Sequence, residues 1–434
     1  MILLRNFTNI FKIPELVKKI MFTLGVLIIY RIGCYIPSIG INVSVLADFM
    51  SQSKIFGGIL RFFDTFSGGA LDKCTIFSLG IQPYITASIL MQLLSATVPY
   101  LEQLSKEGDY GRKLINQYTR YFSLAISFVF ALGFAITLNN ANATSYQGLL
   151  NWSGFGFIFL FVLSLMVGSA FVMWLGEQIS LFGIGNGSSM IIFAGIISRF
   201  PSLIVQLIQI SKSHPIKVVI VLLIFLILTA SVVFMEKGDR KIPVQYARRI
   251  IGQKVYGGQS TYIPIKINSS GVMPVIFASA LLNIPIFFIS LLSIKWLTDA
   301  MNPGGFLYSA IEFGLIIFFA YFYTYYAFNP SELADNIKKS GGFIPGIRPG
   351  RQTSDYFEYI LNRIVLVGAI YLGLLAIFPN LIGSLLGVYF INGTSLLIMV
   401  SVALETSSQI ESYLIEHKYE GFLTDGRMKN RVGR

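Results

Sequence analysis

Val218-Val-Ile-Val-Leu-Leu-Ile-Phe-Leu-Ile-Leu-Thr-Ala-Ser-Val-Val-Phe-Met235 contains no charged side chain, no glycine and no proline. A helix rises about 1.5 Å per residue, so a run of this kind covers most of the roughly 30 Å hydrocarbon core of a bilayer. The run is apolar on every face, which suits lipid rather than a half-buried surface helix. Working outward, comparable windows fall near 20–38, 75–95, 119–138, 153–175, 188–208, 217–235, 270–292, 309–328, 360–378 and 394–413. The expected fold class is therefore an all-α polytopic membrane protein with ten transmembrane helices. Over 434 residues, 54% are hydrophobic and 12% charged, against about 25% charged in ordinary soluble domains. Lipid is the solvent that this chain is built for.

Composition also excludes several function classes. Two cysteines, Cys34 and Cys74, cannot form a disulfide framework or a cysteine-rich metal site. Two histidines, His214 and His417, lie near a turn and in a charged tail, so clustered imidazole ligands are not available. Catalytic metal and a bound cofactor are not expected. Met1 to Lys19 is polar and basic, and the apolar run after it continues to spanning length, so the first helix is expected to be retained rather than cleaved as a leader.

Charge sets the orientation. With both termini cytosolic, that side holds Arg5, Lys12, Lys18 and Lys19, then Lys106, Arg112, Lys113 and Arg120. It also holds Lys237, Arg240, Lys241, Arg248, Arg249, Lys254 and Lys266, then Lys338, Lys339, Arg348, Arg351 and Arg363, and the tail. About 25 of the 33 basic residues then face the cytosol, as the positive-inside rule requires. Two cytosolic connections, 236–269 and 329–359, are far longer than the outer ones. The first contains Lys241-Ile-Pro-Val-Gln-Tyr246 and Thr261-Tyr-Ile-Pro-Ile-Lys-Ile267, alternating segments that read as a hairpin. The second is punctuated by Asn329-Pro330, Gly341-Gly342, Pro345-Gly346 and Pro349-Gly350, a pattern of tight turns. Both read as docking platforms; the plainer alternative is a pair of solvated connections.

Between Gly57-Gly58 and Gly68-Gly69 lies Ile59-Leu-Arg-Phe-Phe-Asp-Thr-Phe-Ser67, too short to cross a membrane. Arg61 and Asp64 share one helical face, while Ile59, Phe62, Phe63 and Phe66 supply an apolar one. A hinged half-helix at membrane depth implies a watery cavity; an interfacial helix on the outer surface is the other reading. Pro83 and Pro274 fall inside the second and seventh windows and are expected to kink or interrupt them. A break in the second span of each five-span half fits two inverted halves around a central pathway, with expected bounds 1–210, 211–413 and a cytosolic tail 414–434.

Phe66-Ser-Gly-Gly-Ala-Leu71 followed by Ile76-Phe-Ser-Leu-Gly-Ile-Gln-Pro-Tyr-Ile-Thr-Ala-Ser-Ile-Leu-Met-Gln-Leu-Leu94 closely resembles the plug and second helix of the SecY family, the channel-forming subunits of the bacterial protein translocase. Glu107-Gly-Asp-Tyr-Gly-Arg112, Gln117-Tyr-Thr-Arg-Tyr121, Met173-Trp-Leu-Gly-Glu-Gln-Ile179, Gly183-Ile-Gly-Asn-Gly187 and Ile192-Phe-Ala-Gly-Ile196 extend the resemblance. So do Asn268-Ser-Ser-Gly-Val-Met-Pro274, Phe328-Asn-Pro330, Ala334-Asp-Asn-Ile-Lys-Lys-Ser-Gly341, Phe343-Ile-Pro-Gly-Ile-Arg-Pro-Gly350 and Gly393-Thr-Ser-Leu-Leu-Ile398. The motifs run in order from about residue 20 to 400.

The resemblance implies a pore ring at Ile81, Ile85, Ile192, Ile276 and Ile398, an aliphatic constriction that closes around any extended chain. It implies a plug formed by Ile59, Arg61, Phe62, Phe63, Asp64, Phe66 and Ser67, and a lateral gate bordered by Thr86, Ser88, Gln92, Asn268 and Ser269. Cytosolic partners would dock at Arg348, Lys254, Arg248 and Arg249. Gly252-Gln-Lys254 stands where the family often carries two basic residues at the loop tip. Implied partners are the SecE and SecG subunits, the SecA motor ATPase, the ribosome, signal sequences and nascent polypeptides, and membrane lipid, with room for YidC and SecD/SecF. The implied location is the bacterial plasma (inner) membrane.

Glu177, Glu312 and Glu405 lie in or at the ends of spans, where ionisable groups point to function or to pairing with neighbours. Gly183-Ile-Gly-Asn-Gly187 has no preceding strand and no following lysine, so it is not a nucleotide loop. A small-solute transporter would need convergent polar ligands at mid-membrane, and a membrane enzyme a nucleophile with a positioned base. The sequence offers isoleucines instead, and an enzyme is not expected.

Overall fold

The computed structural model describes residues 13–42, 45–46, 67–144, 148–152, 154–246, 249–251, 254–256, 260–268, 270–291, 305–386 and 392–426. The chain divides into two compact units: Met1–Ile204 with Val402–Arg434, and Val205–Ser401.

In chain order, the first unit holds α1 (Pro14–Gly33), α2 (Gln82–Thr97), α3 (Pro99–Lys106), α4 (Asp109–Thr144), α5 (Phe155–Phe182), α6 (Gly187–Ile197) and the start of α7 (Phe200–Ser213), which passes into the second unit after Ile204, together with the chain from Val402 onward. α2 packs on α4, α4 on α5, and α5 on both α1 and α6. The α5–α6 contact depends on two glycines that let the helix backbones touch. A Cβ at Gly187 would strike the carbonyl oxygen of Gly176, the small-residue contact expected where lipid gives helices no hydrophobic reason to associate. Aromatic rings fill the wider gaps: Phe77 stacks between Tyr30 of α1 and Phe171 of α5, with centroids at 6.1 and 5.8 Å.

The window 75–95 is helical only from Gln82, because Pro83 sits in the first turn of α2 rather than at mid-span. A first-turn proline has no helical N–H to forfeit, so it starts the helix instead of kinking it. Pro274 stands in the same way one residue after the start of α9 (Met273–Leu291). The expected kinks are thus helix starts. The irregular backbone ahead of α2 is paired: Ser38 N–H donates to Cys74 O (2.8 Å), Ile76 N–H to Ile36 O (3.1 Å) and Thr75 N–H to Ala70 O (3.0 Å). The 188–208 window divides at Ser198-Arg199 into α6 and α7, with Pro201 in the first turn of α7.

The second unit contains α8 (Pro215–Lys237), strands β1 (Asp239–Tyr246), β2 (Arg249–Ile251), β3 (Lys254–Tyr256) and β4 (Ser260–Lys266), and α9. It continues with α10 (Phe306–Ala327), α11 (Pro330–Lys339), β5 (Gly342–Phe343), α12 (Arg351–Leu386) and the start of α13 (Gly393–Gly426). α10 packs on α9 and α12. Ala320, Val365 and Ala369 form the α10–α12 seam, and Tyr325 Oη donates to Asn362 Oδ1 at 2.7 Å.

The expected hairpin is present and larger than its sequence suggests. β1 pairs antiparallel with β4 from Asp239↔Lys266 to Gln245↔Ser260, and β5 of the second loop pairs with β1 at Gln245↔Phe343 and Tyr246↔Gly342. The order β4-β1-β5 joins the 236–269 and 329–359 connections in one sheet. Pro243 and Pro264 lie in pairs two positions apart, Pro243↔Tyr262 and Lys241↔Pro264. Such pairs are of the same ladder type, so both missing N–H groups fall on the non-hydrogen-bonded type and cost the sheet nothing.

Ile242, Val244 and Ile265 point to one face, where Ile337 of α11, Ile344, and Phe357, Ile360 and Leu361 of α12 cover them. The second loop, expected to be turns, is therefore a helix, a strand and a turn folded on the first. Among the described residues six helical stretches are long and apolar enough to cross a membrane: 109–140, 155–182, 187–213, 215–237, 306–339 and 351–383. α2 and α3, bent by 99° at Val98-Pro99, pass the same test when taken together as one span.

Phe357 is fully buried beneath the sheet. Phe357→Ala should therefore destabilise the sheet and its covering helices by about 3–5 kcal/mol. Limited proteolysis of the 236–269 and 329–359 segments reads this out, and unchanged cleavage would show that the cluster does not hold the two loops together.

Candidate functional site

Ile81, Ile85, Ile192, Ile276 and Ile398 are all buried, none more than 7% exposed. Ile81 caps α2 and its carbonyl accepts from Ile85 N–H at 3.1 Å, so the two share a face one turn apart. Ile276 stands in the first turn of α9 and Ile398 in the second turn of α13. A Cβ at Gly176 would lie 3.2 Å from Ile81 Cδ1 and 3.4 Å from Ile191 Cδ1, which places these two side chains over the glycine seam of α5. Ile191 and Gly176 were not singled out in the sequence, and nothing in an Ile-rich chain marks them.

Of the expected plug, Ile59, Arg61, Phe62, Phe63, Asp64 and Phe66 lie outside the described residues, and Ser67 begins the description. The C-terminal end of that segment is pinned. Gly68 O accepts from Arg31 Nη1 at 2.7 Å and lies 3.3 Å from Ser198 Oγ, whose proton is shared with the nearer Gly195 O (2.7 Å), and Ser67 O accepts from Tyr30 Oη at 3.4 Å. Gly68 and Gly69 have φ of 68° and 87°, a region that favours glycine. Gly68 also admits no side chain, since a Cβ there would approach Gly195 Cα at 2.8 Å. Next to this knot Arg199 Nη2 meets Asp72 Oδ2 at 3.5 Å. Sequence reasoning missed Arg31 and Ser198; the only signal was an arginine in the last turn of an otherwise apolar helix end.

The positions expected to border the gate are polar groups whose partners lie close by. Thr86 Oγ1 donates to Gln82 O (3.0 Å), and Gln92 Nε2 to Ser88 Oγ (3.4 Å), both within α2. Asn268 Nδ2 donates to Glu236 Oε2 of α8 (2.9 Å), and Ser270 Oγ to Asn268 Oδ1 (3.4 Å). Ser269 lies outside the described residues. A helix whose polar side chains are satisfied on itself loses no hydrogen bonds from them when it moves away from a neighbour.

Arg348 sits in the turn between β5 and α12. The turn is fixed by Ile347 N–H to Ile344 O (3.1 Å), by Thr353 Oγ1 to Arg348 O (2.9 Å), and by the burial of Ile344. The Arg348 side chain is exposed. Arg249 and Lys254 belong to the β2–β3 pair, in the registers Arg249↔Tyr256 and Ile251↔Lys254, and Arg248 lies outside the described residues. Lys241 lies over the Tyr262 ring at 4.8 Å, and Arg363 over Tyr359 at 4.2 Å. The three glutamates separate: Glu177 Oε1 accepts from Arg120 Nε at 2.7 Å, Glu312 is buried, and Glu405 is exposed. Among the described residues no three His, Cys, Asp or Glu side chains gather as a metal site.

Buried isoleucines at helix starts, an irregular segment pinned by backbone acceptors, and a structured platform between spans define a polytopic membrane protein built from two helical units. The family model described as SecY matches residues 75–407. The Protein translocase subunit SecY of Aquifex aeolicus is 41% identical over 422 residues, 95% of this chain and 98% of that one. That of Escherichia coli K12 is 42% identical over 426 residues, 96% and 95% of the two chains. Among solved structures, one described as the structure of a protein conducting channel superposes with a TM-score of 0.64 at 20% identity, covering 91% of this chain and 92% of that one. Sec61 in the canine ribosome-channel complex superposes with a TM-score of 0.57 at 18% identity, with the same coverage. The chain belongs to the SecY family.

The Arg31–Gly68 contact is a hydrogen bond from a charged donor. Arg31→Ala should cost about 1.5 kcal/mol and lower the thermal midpoint of the detergent-solubilised protein, with Arg31→Lys recovering part of the loss. Equal midpoints for all three proteins would show that Gly68 is held without Arg31.

Proposed function

We propose that this chain is the channel-forming subunit of a protein translocase, passing unfolded polypeptides across a bacterial plasma membrane and releasing apolar segments sideways into lipid. The observation that carries this reading is near-full-length likeness, at 41% and 42% identity, to relatives named Protein translocase subunit SecY. Supporting it are five buried isoleucines contributed by α2, α6, α9 and α13. A constriction of such side chains excludes water and ions at rest, yet makes no sequence-specific contact with a chain passing through it. The lateral exit lies between α2 and α9, with Thr86, Ser88, Gln92, Asn268 and Ser269 along its border.

In this reading the chain crosses the membrane ten times in two inverted halves with both termini cytosolic, and the segment 59–67 is the plug. Gly68 and Gly69 serve as its hinge. SecE and SecG are the companion subunits. SecA or the ribosome docks through Arg348, Arg248, Arg249 and Lys254, and YidC and SecD/SecF act downstream. The energy source belongs to the docked partner, since this chain acts as a conduit and not as an enzyme.

Photo-crosslinking of a secretory chain arrested in transit tests the path. Probes in its middle should label the positions of Ile81, Ile85, Ile192, Ile276 and Ile398, and probes in its signal segment should label α2 and α9. Adducts confined to other helices would remove both the ring and the gate.

Arg348 presents a planar fork of donors suited to carboxylate or phosphate partners. Arg348→Glu should leave the protein inserted and assembled, because the side chain is exposed, while depressing motor-driven export at least tenfold in reconstituted vesicles, a loss of about 1.4 kcal/mol or more in partner binding. Normal export by this variant would remove the docking assignment.

A further inference from the structure

Hydroxyl groups in apolar helices ordinarily return their proton to a carbonyl of their own helix. Here Thr86 donates to Gln82 O, Ser279 to Ile276 O and Thr324 to Ala320 O, at 2.7–3.0 Å. Two serines of α13 do not. Ser395 and Ser401 are 2% and 5% exposed, and among the described residues neither Oγ has a hydrogen-bond partner. Their spacing is regular: each stands three residues from Ile398, one before it and one after. On an α-helix that places them about 60° to either side of Ile398 and roughly 4.5 Å below and above it, on the same face.

A buried hydroxyl without a partner is a cost that natural structures seldom carry without reason. What the surroundings lack is equally clear. The isoleucines of the proposed ring offer no donor or acceptor to the peptide groups of a chain passing among them, and a dry peptide group is unfavourable. A serine hydroxyl supplies one donor and two acceptor positions without charge, so it serves peptide N–H and C=O alike and ignores the side chains. The two hydroxyls stand about 9 Å apart along α13, close to three residues of an extended strand at about 3.3 Å each. They can therefore engage peptide groups on both sides of the constriction at once.

We infer that Ser395 and Ser401 are backbone-binding rungs flanking Ile398, each hydrogen-bonding the peptide groups of an extended polypeptide in transit. This rests on the reading of Ile398 as a pore position. The rungs solvate the backbone where water is excluded and so lower the barrier at the narrowest point for any sequence. Family resemblance directs attention to the isoleucine; the unpaired hydroxyls on either side of it come from the structure.

The test uses the full chain in its translocation-competent complex, with single cysteines at positions 395, 398 or 401 of α13 in turn, and at 85 or 192 for comparison. Native Cys34 and Cys74 are both buried and serve as the background. A secretory polypeptide carrying one cysteine is arrested midway by a tightly folded C-terminal domain, and disulfide adducts are mapped along its length. The expected result is adducts at all three positions, with the reactive substrate residue shifting by about three between 395 and 401. Transit by the S395A/S401A double variant should be about five- to a hundredfold slower, as expected for two neutral hydrogen bonds, with S395T/S401T retaining most of the rate. Adducts at 398 without adducts at 395 and 401 would overturn the rungs and leave the pore intact. Adducts at all three with an unimpaired double alanine variant would overturn the hydrogen-bonding role. Adducts at the positions of Ile85 and Ile192 but none on α13 would remove the inference alone, whereas adducts at none of these positions would remove the channel reading with it.

Discussion

Every backbone polar group placed in hydrocarbon must find a partner inside the protein, and this requirement governs the rest of the molecule. Where the chain is helical the requirement is met automatically. Where it is not, between Ser67 and Ile81, it is met by hydrogen bonds to the 36–38 segment and within the turns themselves. Side chains complete the pairing, since Ser78 Oγ donates to both Ala70 O and Thr75 O at 3.1 and 2.6 Å. The irregular stretch is thus a built element, and it delivers Ile81 to the cap of α2 with a fixed geometry. A continuous helix through residues 75–95 would satisfy the same groups but would leave no room for the turns that follow Gly68-Gly69 ahead of α2.

Close helix contact follows from the same economy of forces. Lipid competes with every apolar side chain, so helices hold together by backbone approach and local polar contacts. Gly176 and Gly187 bring α5 and α6 together, Gly393 lies against the carbonyls of Leu375 and Ala376, and Arg120 joins α4 to α5 through Glu177. Each contact is individually modest. A protein whose proposed work requires two helices to part is better served by several small contacts than by one large one.

The fold class was legible in the sequence because hydropathy and the placement of basic residues are properties of the residues alone. Each window overlaps a helix, although 75–95 is helical only from Gln82 and 188–208 is shared by α6 and α7, and the hairpin of the first loop was visible as alternation. What the sequence did not disclose were relationships between distant segments. β5 is only two residues long and carries no strand pattern; its pairing with β1 is decided by α11 and Ile344 folding onto Ile242 and Val244. Pro83 and Pro274 were read as interruptions because a window average cannot tell a helix start from a helix middle. For the site, the family motifs located the isoleucines, whereas Arg31 and Ser198 act on one carbonyl oxygen from positions more than a hundred residues apart. No local pattern encodes such a meeting.

The β1–β5 pairing has a mechanical consequence. The first loop leaves α8 and returns through α9, and the second leaves α10 and returns through α12. Four helix ends are therefore fastened to one small sheet, with Phe357 and Ile360 of α12 clamped beneath it. A load applied at the Arg348 turn is shared among these four helices rather than absorbed by the bending of one loop. The sheet acts as a yoke, so that a tug at the Arg348 corner reaches the ends of α8, α9, α10 and α12 together.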